Sequence, residues 1–187
     1  MRRTLLLLLV CAAPSATTLQ AAPASIDLAS ARASMAGAWE GKLEYLDYTA
    51  NEWFGIPVKT SIEDQGDGAT LIYRSQFDDG PPVGIVRITT VELFDAANAK
   101  LTAGGFRKGR EPDLMVYKVR FAGEPKDATH WTMIEETDAK DDNRPARLRL
   151  TTTRDGAKLQ KLKQVDFMDD TKEEWLSRNR TTLVLMK

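Results

Sequence analysis

The sequence predicts an all-β fold: one antiparallel, up-and-down barrel of about ten strands with short flanking helices. Three observations predict it. Strand-like runs separated by turn residues recur at intervals of roughly 10 to 15 positions. No long helix separates any two of them, and a parallel sheet needs such crossovers. An open sheet of so many strands would expose two edges, which closure removes, and about ten strands enclose room for a cavity. A two-sheet sandwich is the competing architecture.

The elements follow in order. Residues 26–35 have an Ala-rich, weakly amphipathic pattern and predict a short helix. In 39–48, Trp39, Gly41, Leu43 and Tyr45 alternate with Glu40, Lys42 and Glu44, the signature of a half-buried strand. Strands at 56–64 and 69–77 flank the turn Gln65-Gly66-Asp67-Gly68. A longer run at 84–94 lacks clean alternation, which suggests a bulge. Short strands follow at 100–106 and 114–121, the second with Met115, Tyr117, Val119 and Phe121 on one face. Strand 130–137 places Trp131 and Met133 on one face, and a polar loop over 138–145 follows it. Strands 146–154 and 158–168 pair across Asp155-Gly156, a hairpin signal. A second helix is expected at 170–177 on the strength of Asp170 and Glu173, and the last strand at 180–186.

The N-terminus predicts export. Arg2 and Arg3 precede an apolar run from Leu5 to Val10, and Ala22-Pro23-Ala24 offers small residues for a signal peptidase. Cleavage after Ala24 leaves residues 25–187 as a single barrel domain. The expected location is the periplasm or the extracellular space. The apolar run is too short to span a bilayer, which takes about 20 residues. Lipid anchoring at Cys11 is disfavoured because Val10, just before it, is not small.

Composition narrows the function. The chain has 187 residues with 26 basic and 27 acidic side chains. Cleavage removes two arginines and no acid, so the remaining domain is acidic. Such a balance disfavours nucleic acid as a partner. Cys11 is the only cysteine and leaves with the leader, so no disulfide or thiolate chemistry is expected. His130 is the single histidine and is read as a strand-end surface residue. The acidic run Asp138, Asp141, Asp142 and Asn143 lacks the spacing of a calcium loop. No cofactor, metal ligand or catalytic residue is assigned.

Gly37-Ala38-Trp39-Glu40-Gly41 opens the first strand after a short helix. This resembles the Gly-x-Trp entry of the calycin superfamily, the lipocalins and their relatives, and in its longer form that of nitrobindin-like haem barrels. The resemblance implies a barrel whose Trp39 closes one end beneath a basic side chain near the last strand, Arg178 or Arg180. The haem-ligating histidine near the C-terminus has no counterpart here, so haem is not implied.

Trp53 and Phe54 fall between the first two predicted strands, where such barrels carry a loop over the open mouth, and could cap an apolar ligand. The expected inner stripe is Leu43, Tyr45, Tyr73, Met115, Tyr117, Trp131 and Met133. Its mix of aromatic, sulfur and phenol groups suits an apolar pocket with a few polar handles. The leading expectation is therefore an exported, non-enzymatic barrel that binds a small apolar ligand. An envelope structural or interaction protein with a protein partner, and a small hydrolase or isomerase, are the alternatives.

Overall fold

Ten strands wind in sequence order around one axis and close on themselves. A computed structural model of the chain describes residues 26–169 and 171–187. The strands are β1 (Gly37–Asp47), β2 (Glu52–Asp64), β3 (Thr70–Asp78), β4 (Ile85–Asp95), β5 (Lys100–Arg107), β6 (Asp113–Phe121), β7 (His130–Asp141), β8 (Arg144–Asp155), β9 (Lys158–Phe167) and β10 (Leu176–Leu185). Each pairs antiparallel with its neighbours in sequence, and β1 pairs with β10 to complete a closed barrel. No sheet edge is left open, which removes the template for edge-to-edge association. The predicted leader, residues 1–24, lies outside the described residues.

Alternation sets the inside. On β1, Trp39, Gly41, Leu43 and Tyr45 face the axis. On β8, Ala146, Leu148, Leu150, Thr152 and Arg154 do, while Arg147 and Arg149 point outward. At the β1–β10 seam, Gly41 is required by closeness. A Cβ there would collide with the Thr182 carbonyl oxygen and lie 2.9 Å from its carbon. Gly37 enters β1 at φ 143°, a backbone conformation that side chains resist.

The single helix among the described residues, α1 (Leu28–Ala33), stoppers one end. Asp27 caps it by accepting from the Ser30 amide at 2.7 Å. Ala31, Arg32 and Met35 are buried against the barrel interior. The Trp39 indole donates to the Met35 carbonyl at 2.9 Å, and Arg154 donates to the Ser34 carbonyl, tying the stopper to the wall. The opposite end, the mouth, carries the turns after β1, β3, β5, β7 and β9.

Four local expectations are corrected. The segment expected as a second helix does not form one. Of its residues, 171–175 are irregular and Leu176 already starts β10; Asp170 lies outside the described residues. Trp175 instead lies flat on the outer wall, with Arg149 3.7 Å and Arg147 5.3 Å from its ring centroid. That outer contact wins over a capping pattern too short to hold a helix alone. The 138–145 loop is mostly strand, closed by Asp142 and Asn143 at φ 51° and 63°, the backbone of a tight two-residue hairpin. The suspected bulge in β4 is absent: its register with β3 runs unbroken, and the irregularity sits in β10 between Ser177 and Asn179. Finally, Trp53 and Phe54 belong to β2, not to a connection, because β1 and β2 stay paired up to Asp47 and Glu52.

Candidate functional site

The middle of the barrel is charged. Arg32 reaches in from α1, Glu92 from β4, Glu135 from β7 and Lys161 from β9. Arg32 is 2% exposed, and its Nη2 donates to Glu92 Oε2 at 2.8 Å. The Lys161 ammonium stands 3.7 Å from Glu92 Oε1 and 3.5 Å from Glu135 Oε2. Tyr73 and Phe94 complete the setting, with Lys161 6.0 Å from the Tyr73 ring centroid and Arg32 5.3 Å from that of Phe94.

The cluster perturbs its own members. Burial alone would raise Glu92, but Lys161 and Arg32 outweigh it and hold this carboxyl below its ordinary range. Burial dominates at Glu135 and raises it; repulsion from Glu92 adds to this, and Lys161 offsets only part. Burial would lower Lys161, yet Glu135 and Glu92 keep the ammonium charged beyond its usual range. Burial and then the Glu92 charge push the Tyr73 hydroxyl well up, and burial puts Tyr117 at about 12. Such a cluster is a poor stability device, since apolar replacements of buried ion pairs are often neutral or better.

Beside the cluster lies a cavity of about 190 Å³. Met35, Val58, Ile62, Phe77, Leu159 and Leu183 form its apolar wall, and Thr60, Tyr73, Ser75, Thr90, Glu92, Thr152, Lys161 and Thr181 its polar one. Thr60 and Ser75 satisfy each other at 2.9 Å. The Tyr73 and Thr152 hydroxyls, Arg32 Nη1 and Glu135 Oε2 are buried and meet no hydrogen-bond partner in good geometry among the described residues.

Of the ligand residues expected from sequence, only Tyr73 lines this cavity. Trp131 and Met133 are packed core at 4% and 1% exposure, with Tyr117 nearly as buried and Met115 half-buried beside them. Leu43 is half-buried on the inner face. Tyr45 and Phe54 sit opposite each other near the mouth with rings stacked 5.7 Å apart, and Phe54 is 58% exposed. Trp53 faces outward beneath Arg180, whose Cζ is 4.2 Å from its ring centroid.

The basic residue over Trp39 is neither Arg178 nor Arg180 but Arg154 of β8, at 5.4 Å from the ring centroid. Arg180 is outward because its register partner Glu44 is, and the two are joined at 2.7 Å. Arg178 sits by the β10 irregularity and packs on Phe167 and Tyr48 while pairing with Asp141 and Asp142 at the mouth. His130 bonds Asp127 at 2.9 Å on the surface. Among the described residues, no group of histidine, cysteine and acidic side chains could hold a metal ion.

No protein-family model and no curated protein matches the chain. Among solved structures it is similar to that of Rv2717c from M. tuberculosis, at 12% identity and a TM-score of 0.58. The match covers 87% of this chain and 99% of that one. The likeness is one of fold. It names no family for this chain.

Proposed function

We propose that this protein is an exported carrier or sensor that binds one small, mainly apolar molecule inside its barrel. The observation that carries the reading is the cavity of about 190 Å³, apolar on one side and polar on the other. An engineered apolar cavity of about 150 Å³ takes up benzene, so this volume suits a molecule of about eight non-hydrogen atoms. An apolar wall supplies affinity, and a few placed polar groups supply orientation. The export half of the proposal rests on the basic, apolar and small-residue pattern of the first 24 positions.

Native mass spectrometry on protein recovered from a bacterial periplasm, with an organic extract of the same sample, tests both halves. A mass beginning at residue 25 with an adduct that leaves on denaturation is the expected result. An uncleaved chain removes the export half. A bare barrel that also fails to take up any small ring compound by calorimetry removes the ligand half.

A further inference from the structure

The charged cluster shows the cavity far more of its lysine than of its carboxylates. Lys161 lies deep in the barrel, yet 33% of its side chain is accessible, against 5% for Glu92 and 3% for Glu135. Lys161 lines the cavity, and so does Glu92, whose Oε2 is taken by Arg32. Glu135 lies behind Lys161, outside the lining. At 3.5 and 3.7 Å, the ammonium's contacts with the two carboxylates exceed the ordinary N–H···O range of about 2.7–3.2 Å. Its protons are therefore open to a better acceptor. Two more donors share the lining: the Thr152 hydroxyl, buried and unmet on a residue 2% exposed, and the Tyr73 hydroxyl, buried with the Glu92 carboxylate as its neighbour. An ammonium and two hydroxyls ask for an oxygen-rich anion. A doubly charged head such as a phosphate would meet repulsion from the two carboxylates behind the lysine.

We propose that the cavity takes a small apolar carboxylic acid as its anion, with the carboxylate on Lys161, Thr152 and Tyr73 and the hydrocarbon against Val58, Ile62 and Leu183. This rests on the ligand-binding reading above and names its substrate class. An amine finds only Glu92, whose side chain is 5% accessible and whose Oε2 is taken by Arg32, and an alcohol leaves the ammonium without a counter-charge.

The charge count adds a consequence. Two cations and two carboxylates already share the cluster, so the ligand brings a third negative charge. Glu135 is the group that gives way. It is faced by Lys161 from β9, Glu92 from β4, Arg32 from α1, Tyr117 from β6 and Tyr73 from β3, and burial already favours its neutral form. Binding of the anion therefore takes one proton from solvent onto Glu135.

Calorimetry with three matched probes tests this on the full chain as purified: cyclohexanecarboxylate, cyclohexylmethanol and cyclohexylmethylamine. The acid is expected to bind about tenfold or more tightly than either of the others. Thr152→Val and Tyr73→Phe keep every charge and should each weaken the acid about three- to tenfold while leaving the alcohol unchanged. Lys161→Met should erase the preference for the acid. Acid affinity should fall as pH rises through the range where free Glu135 ionises, and Glu135→Gln should flatten that dependence. Equal binding of alcohol and acid, or preference for the amine, overturns the carboxylate proposal but leaves an interior ligand standing. Failure of all three probes, together with a bare native mass, overturns the underlying reading as well. A pH-independent acid affinity overturns the proton uptake.

Discussion

Arg154 lies over the Trp39 indole, its Cζ 5.4 Å from the ring centroid, and also donates to the Ser34 and Gly156 carbonyls. One side chain from β8 thus joins the first strand, the stopper helix and the β8–β9 turn. Arg154→Met keeps most of the packing but removes the cation and the donors. The expected cost is about 2 kcal/mol, read as a lower urea midpoint, with a change in indole fluorescence. An unchanged midpoint would show that the stopper holds without it.

At the seam, Gly41→Ala should cost about 1–3 kcal/mol, because the new methyl would collide with the Thr182 carbonyl. Gly123→Ala, where a Cβ meets nothing within 4 Å, is the control and should stay within about 0.5 kcal/mol. Equal midpoints for the two variants would contradict the seam geometry.

Glu92 answers two cations, so Glu92→Gln should cost about 3–5 kcal/mol by leaving Arg32 and Lys161 buried without it. Adding Arg32→Met to that variant should recover part of the loss. A double-mutant cycle from denaturant unfolding reads the coupling. Additive losses would mean that the two residues do not act as a pair.

Acid and base act oppositely on the two carboxyls. The Glu92 carboxyl is held below the unfolded value of 4.5, so its contribution is present above that pH and is lost as pH falls through the folded value. The Glu135 carboxyl is held above 4.5, so its contribution is present below that pH and is lost as pH rises through the folded value. Relative to wild type, Glu135→Gln should gain stability as pH climbs above 4.5. Glu92→Gln should recover ground as pH drops below it. Urea midpoints from pH about 3 to about 8 check both signs.

Much of the architecture was legible before any coordinates. All ten strands overlap the runs that predict them, with β2, β7 and β10 reaching beyond those runs, because half-buried strands write a period of two into the chain. The candidate site was harder. On β4, Val91 and Leu93 face away from the axis while Glu92 and Phe94 face it, so apolar residues stand on both faces and alternation does not place Glu92. On β9, Leu159 and Val165 mark the inner face, and simple parity places Lys161 between them. Parity also carries the inner face from Trp131 and Met133 to Glu135. A buried charge is the residue type that pattern reading discards first, which is why these three were not placed in the interior. Arg32 was hidden for another reason: nothing in a short helix says that it will stopper a barrel, so its reach to Glu92 depends on tertiary packing alone.

The seam also governs how the molecule comes together. Nine of its ten strand pairings join neighbours in sequence, and hairpins of that kind form without bringing distant parts of the chain together. The tenth, Trp39 against Leu185, joins the first strand to the last. That row closes the longest loop in the barrel, and it cannot form until the rest of the wall is curved enough to present both partners. Until that row forms, a newly made chain is an open sheet with two exposed edges, and its closing is the step that removes both at once.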